Sequence, residues 1–307
     1  MIHNMPWLKS IFDHTADQMK SNRFAHALLV CGEQGIGIDE FAEDVARHRI
    51  CSTPADRGCR DCKSCQLLVA GNHPDMMRVV PTGAANEVKV DQIREVVAFL
   101  AQTPQIADWK VVLIAQAHRM NTNAANALLK VLEEPQGNTL LLLVSDRPQL
   151  LLPTVRSRCQ KKSVRSPSQQ QTKDFCLAQG VSEEDIVYLS DILGAKPTLI
   201  CEWVSEGCKD QWALLQRGLD EVSSHKTTKE LTDSLADLKL TDILQWLSIR
   251  LFREVKLTDN NRQRIKWLDM HRWLMSAIIE VERGGNPNRQ LLLDECFLRW
   301  KGAKVSD

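Results

Sequence analysis

The sequence predicts an α/β domain built on a mainly parallel sheet, followed by all-α domains, in a chain of 307 residues. Two observations carry this expectation. Short apolar runs at 27–31, 110–115 and 139–144 alternate with helix-patterned stretches as far as residue 163. Beyond that point the apolar runs disappear, and Leu, Trp and Ile recur at helical spacing. Strand–helix alternation implies crossover connections, and these join parallel strands.

In chain order, residues 7–22 read as a helix with Trp7, Leu8, Ile11 and Phe12 on one face. ALLVC at 27–31 reads as a buried strand that stops at glycines. A turn and a helix over 39–50 follow, then a cysteine-rich insert at 51–74 and a second strand at 76–80. Ile93, Val96, Val97 and Leu100 mark an amphipathic helix over 90–103. KVVLIA is a further buried strand, 121–132 a helix stopped by Pro135, and TLLLLV another strand. The polar stretch SVRSPSQQQT at 163–172 reads as a linker. The expected organisation is 1–163, an α/β domain carrying a metal module at 51–65; 164–205, a small helical domain; and 206–307, a larger helical domain.

Thirty-nine basic residues balance thirty-nine acidic ones, which argues against a strongly basic, stand-alone nucleic-acid binder. No apolar run reaches the roughly 20 residues of a membrane span. The opening MIHNMPWLKSIFDH lacks the basic-then-apolar order of a secretory signal, so a cytoplasmic protein is expected. Ten cysteines in such a chain point to a reducing compartment, where clustered thiols serve as metal ligands more often than as disulfides.

Cys51, Cys59, Cys62 and Cys65 have the spacing C-x7-C-x2-C-x2-C. Four thiolates complete a tetrahedral zinc shell with no open position, so the expected Zn²⁺ is structural. Scattered core cysteines, a redox pair or an iron–sulfur cluster are the alternatives. His73 is a spare candidate ligand, but it reads first as a surface loop residue before Pro74. Cys31, Cys159, Cys176, Cys201, Cys208 and Cys296 read as small hydrophobes.

Strand, glycine turn and helix make the setting of a phosphate-binding loop, G-x-x-x-x-G-K-[ST]. The residues here are Gly32-Glu33-Gln34-Gly35-Ile36-Gly37-Ile38-Asp39. Gly32, Gly35 and Gly37 remain as the candidate phosphate cradle. The lysine is replaced by Ile38, and the metal-binding hydroxyl by Asp39. A tight turn without ligand is the plain alternative. The strand KVVLI then ends at Ala115-Gln116, where an ATPase would place its acidic residues. Catalysis of phosphoryl transfer needs the lysine and the metal, so productive ATP binding is not expected. Further on, Arg156-Ser157-Arg158-Cys159 places two arginines beside a small hydroxyl. In isolation they read as solvated side chains.

The order of phosphate loop, CxxCxxC insert, Asn126-Ala127-Leu128-Leu129-Lys130-Val131-Leu132-Glu133-Glu134-Pro135 and Ser157-Arg158-Cys159 resembles bacterial DNA polymerase III clamp-loader subunits, an AAA+ family. NPNRQLLL at 286–293 is similar to the last domain of its delta-prime branch. Ile38, Asp39, Ala115 and Gln116 fit that branch and depart from the motor subunits. The resemblance implies an AAA+ sheet domain, a helical lid and a helical collar. It also implies a five-membered ring with motor (gamma/tau) and delta subunits, which places a sliding clamp on primer–template DNA. Arg158, in its SRC motif with Ser157 and Cys159, would be the arginine finger reaching ATP on a neighbouring motor subunit. The second-sensor arginine is missing, with Lys196 the nearby cation.

Two other readings compete. One is a divergent ATPase using Lys130 or Arg119, against which the missing acids at 115–116 speak. The other is a zinc-dependent nucleic-acid binding module using Arg57, Arg60 and Lys63. The neutral charge and the lack of aromatic stacking residues near the cysteines speak against it.

Overall fold

The computed structural model describes residues 5–21, 24–53, 59, 61–83, 85–224, 228–282 and 285–304. They form two compact units. The first runs to residue 201, except for 84–86 and 191–193, which group with the second.

The first unit is built on five strands, β1 (Ala27–Cys31), β2 (Met76–Val79), β3 (Lys110–Ile114), β4 (Thr139–Ser145) and β5 (Gln160–Ser163). All neighbours pair in parallel, in the order β2-β3-β4-β1-β5. The central strands β1, β3 and β4 are buried along their whole length. A parallel sheet needs cover on both faces. α4 (Val90–Leu100) and α5 (Thr122–Glu133) supply one cover, packing Ile93, Val96, Leu128 and Val131 into one cluster with Leu29, Val112, Ile114 and Leu143. α2 (Ile38–Ile50) packs against β3 and β4, and α1 (Pro6–Lys20) packs on α2. Phe12 of α1 meets Phe41 of α2 edge-on at 6.4 Å.

The strand β5 was not expected; its residues, QKKS, are polar, and Ser163 opened the expected linker. It forms an edge strand beside β1. Only Lys162 is buried, and its Nζ donates to Gln18 Oε1 of α1 at 2.6 Å. One inward lysine satisfied by a helix replaces the apolar alternation that pattern reading needs. α4 also stops at Leu100, three residues short of the expectation. Within the cysteine-rich insert, α3 (Lys63–Val69) forms after Cys62. After β5, Ser168 caps α7 (Gln169–Ala178), accepting from Gln171 N at 3.2 Å. The chain reaches β5 through the single turn α6 (Pro153–Arg156). α8 (Glu183–Leu193) and α9 (Pro197–Ser205) continue the helical run.

The second unit is helical: α10 (Cys208–Ser224), α11 (Thr228–Ser234), α12 (Leu240–Leu257), α13 (Asn261–Glu282) and α14 (Arg289–Lys304). Its core is rich in indoles. Trp267 and Trp300 lie 4.8 Å apart, and Trp203 packs against Trp246 at 5.6 Å. Among the described residues, no helix is long and apolar enough to cross a membrane.

At the other end of β3, Lys110 and Asp75 form a fully buried ion pair at 3.1 Å. Asp75 also accepts from the backbone N–H groups of Gln105, Ile106 and Ala107 at 2.7, 2.7 and 2.9 Å. Lys110 donates to Pro74 O at 3.2 Å and sits over the Phe99 ring. Burial pushes the Asp75 carboxyl up, but the three N–H groups and Lys110 outweigh it and bring it down to about 2. Asp75→Ala should cost about 3–5 kcal/mol in urea unfolding, because Lys110 would keep a buried, uncompensated charge. A carboxylate held below its unfolded value of about 3.9 contributes stability above that pH and loses it as pH falls. Unfolding free energy should therefore decline between about pH 4 and pH 2 in the native chain, and this acid step should be absent from the Asp75→Ala protein.

Candidate functional site

Parallel pairing brings the ends of β1, β3 and β4 to one edge of the sheet, the edge at which open α/β sheets bind ligands. The glycine loop leaves β1 there. Gly35 and Gly37 have φ of +86° and +93°, conformations that side-chain-bearing residues rarely adopt. The loop is held by this chain's own donors. Trp7 Nε1 of α1 donates to Ile36 O at 2.8 Å, and Thr198 N of α9 donates to Gly35 O at 3.0 Å. A methyl placed on Gly35 would lie 2.7 Å from Leu199 Cβ and 3.1 Å from Lys196 Cβ, so the first turn of α9 rests on the loop. A methyl on Gly32 would meet Ile38 Cγ2 at 2.7 Å. Ile38, standing where a lysine would reach for phosphate, is buried and packs back over the loop. Lys196 pairs with Glu33 of the loop at 3.4 Å.

The helix that starts at this loop carries Asp39 and Glu40 in its first turn. There the positive end of the helix would otherwise attract an anion. Burial pushes the Asp39 carboxyl above its usual range; Arg78 draws it down, and Glu43 and Asp146 add to the rise. At the end of β3, Ala115 is buried and Gln116 is exposed with φ of +46°. His118 follows, its Nδ1 3.1 Å from Ser145 Oγ and 3.2 Å from an Asp146 carboxylate oxygen at the end of β4.

Arg158 lies between α6 and β5 and is exposed. Its Nη2 is 2.7 Å from Glu133 Oε1, at the end of α5, and its Nη1 donates to Thr154 O at 2.9 Å. Ser157 Oγ donates to the same carbonyl at 3.1 Å. The Asn126–Pro135 segment thus divides its labour: Leu128, Val131 and Leu132 enter the core while Glu133 holds the guanidinium. Cys159 packs against the core, and burial, with a smaller push from Cys31, raises its thiol to about 12. It is a packing residue and a poor nucleophile at neutral pH.

The four thiols of Cys51, Cys59, Cys62 and Cys65 come together with their sulfur atoms all within 4.8 Å of one another. Cys51 Sγ is 3.6 Å from Cys59 Sγ and 3.9 Å from Cys62 Sγ. A tetrahedral zinc–thiolate centre with bonds of about 2.3 Å puts sulfurs about 3.8 Å apart, so the cluster fits zinc. The backbone supports it. The N–H groups of Cys59, Cys62 and Cys65 donate to the sulfurs of Cys51, Cys59 and Cys62 at 3.2, 3.2 and 3.4 Å. Such bonds stabilise negative charge on sulfur. Arg57, Gly58 and Arg60 lie outside the described residues, while Lys63 opens α3.

His73 differs from expectation. It does not join the four-thiol group, and it is buried rather than a surface loop residue. Its Nδ1 accepts from Asp75 N at 3.0 Å, tying the loop before β2 to the Asp75–Lys110 pair.

A five-stranded parallel sheet of this order, with a glycine loop after β1 and an arginine loop before β5, defines an AAA+ module followed by a helical region. A 2.00 Å crystal structure of a DNA polymerase III gamma subunit-related protein from Thermotoga maritima superposes with a TM-score of 0.56 at 17% identity, over 95% of this chain and 100% of the other. Residues 7–168 match the family model described as "DNA polymerase III, delta subunit". DNA polymerase III subunit delta′ of Pseudomonas aeruginosa is 34% identical over 96% of both chains. The subunit delta′ of Escherichia coli is 36% identical over 54% of this chain and 50% of its own. The tau/gamma subunit of Haemophilus influenzae is 32% identical over 56% of this chain and 25% of its own. The chain belongs to the DNA polymerase III delta-prime family.

Full-length protein purified without chelator should carry one zinc per chain by elemental analysis, and Cys62→Ser should lower that occupancy at least tenfold. Stripping zinc should lower the thermal midpoint, because metal-binding free energy is folding free energy for a module this small.

Proposed function

We propose that this delta-prime-family chain hydrolyses no ATP itself and serves the clamp loader by supplying Arg158 to ATP bound on a neighbouring motor subunit. In that role it helps place a sliding clamp on primed DNA, in the cytoplasm. The observation that carries the first part is the closed glycine loop. Ile38 fills the lysine position, carboxylates occupy the helix start, and Trp7 and α9 cap the loop carbonyls. Ala115 and Gln116 offer neither a carboxylate for a metal nor a base. A substitute cation such as Lys130 or Arg119 would still lack the acidic pair whose places Ala115 and Gln116 occupy. The second part rests on Arg158. It is exposed and held at the end of α5 by an ion pair that costs little to exchange at the surface. A permanently charged, bidentate guanidinium suits the charge that develops on a transferred phosphoryl group.

Residues 164–205 would act as the lid and 206–307 as the collar. Exposed Phe252, Leu257, Ile265, Leu268 and Leu298 on α12–α14 supply apolar surface for collar contacts with gamma/tau and delta subunits. The zinc module would staple the 51–74 insert to the sheet domain.

The isolated chain should show no ATPase above background, and equilibrium dialysis should detect no nucleotide binding. Restoring the two motif residues in an Ile38→Lys/Asp39→Thr double variant should not restore binding, because the loop stays capped by α1 and α9. In a reconstituted loader, Arg158→Ala should leave assembly intact by gel filtration. It should silence the motor site it faces, where a finger is worth on the order of 10³–10⁵ in rate. Hydrolysis by the isolated chain would overturn the first part; undiminished DNA-stimulated turnover with Arg158→Ala would reduce the chain to a scaffold.

A further inference from the structure

Two cysteines outside every site described above form a pair. Cys176 on α7 is fully buried, and Cys201 on α9 is half-buried. Cys201 Sγ lies 3.8 Å from Cys176 Sγ, within reach of a thiol hydrogen bond, and Cys176 Sγ is 3.6 Å from Pro197 O. The two thiols are 25 residues apart in sequence, on different helices, so their meeting is tertiary. A disulfide needs sulfurs about 2.0 Å apart, so about 1.8 Å of closure separates the pair from a bond.

We propose that Cys176 and Cys201 form a reversible disulfide modification site, oxidised by hydroperoxides, that clamps α7 to α9. The asymmetry of the pair assigns the roles. Cys201 is the more accessible thiol, and a hydrogen bond from the Cys176 thiol brings its pKa below the usual thiol value, outweighing the opposite push of burial. The same hydrogen bond, together with burial, keeps the Cys176 thiol protonated. Cys201 as thiolate attacks one oxygen of hydrogen peroxide; the O–O bond breaks, hydroxide leaves and is protonated to water, and a sulfenic acid remains. Cys176 sulfur then attacks the Cys201 sulfur. The S–O bond breaks, the S–S bond forms, and the hydroxyl leaves as a second water with the Cys176 proton. Two thiols and one peroxide become one disulfide and two waters.

The position gives the bond a consequence. The first turn of α9 caps the glycine loop through Thr198 N and Leu199. A covalent tie from α7 to α9 would fix the helix that seals the loop. A thiol pair in a reducing compartment stays open until an oxidant arrives, as a responsive site requires.

The test uses the zinc-loaded full-length chain. It is treated with hydrogen peroxide under native conditions, alkylated, cleaved at Lys173, Glu183 and Glu202, and mapped by mass spectrometry. The expected product is a Cys176–Cys201 cross-linked peptide pair that dithiothreitol separates, with a rise in thermal midpoint that the same reductant reverses. Cys201→Ser should abolish the cross-link and leave Cys176 unoxidised. Cys176→Ser should leave Cys201 as a sulfenic acid that dimedone traps. Pairing of Cys201 with Cys208 instead, or Cys201 remaining reduced while the zinc-cluster cysteines oxidise, would overturn the proposal.

Discussion

The parallel pairing of β3, β4 and β1 is the constraint from which the rest follows. Parallel strands all end at the same edge, so the loops after β1, β3 and β4 must meet there. Their backbone groups are buried and find partners only along the ladder, which leaves little freedom of register. β3 is fixed at both ends: Ala115 N reaches Val79 O at 2.9 Å, and Lys110 is locked to Asp75 at the other. A charged pair in that position adds little net stability, because desolvation offsets much of the attraction. It does make any other register costly, since a slip would strand a buried charge.

At that shared edge the glycine loop after β1 is packed by the chain's own side chains and helices. Left-handed glycines shape the turn, while Ile36 and Ile38 turn inward and α1 and α9 cover the outside. Asp39 and Glu40 sit where the helix dipole favours negative charge, so the helix start is satisfied internally. Together these features make the loop a packing element, a joint between the sheet and the helices on either side of it.

Arg158 is held differently. Its partners are one exposed carboxylate at the end of α5 and one backbone carbonyl in the single turn α6. A half-exposed pair of this kind orients a guanidinium while releasing it for a small free-energy cost. Glu133 belongs to the same helix whose Leu128 and Val131 anchor in the core, so the position of the arginine is coupled to the sheet through a rigid element.

Much of this was legible in the sequence. Buried central strands betray themselves by unbroken apolar runs, as in TLLLLV, and the C-x7-C-x2-C-x2-C spacing of Cys51, Cys59, Cys62 and Cys65 announces a four-thiol group because cysteines so close in sequence can reach one ion. The side chains at Ile38, Asp39, Ala115 and Gln116 are read from the sequence directly. Other features depended on contacts between distant residues. β5 has a polar sequence and exists because β1 offers it a ladder and Gln18 receives Lys162. His73 is buried because β2 and the 105–107 loop converge on Asp75. The closure of the glycine loop by Trp7 and Thr198, the hold of Glu133 on Arg158 and the meeting of Cys176 with Cys201 join residues 25 to 163 positions apart. Residue type and local spacing set strands, turns and ligand chemistry, because these depend on neighbours along the chain. Which side chains complete one another was decided by the packing of helices on the sheet, a property of the folded chain that no local pattern encodes.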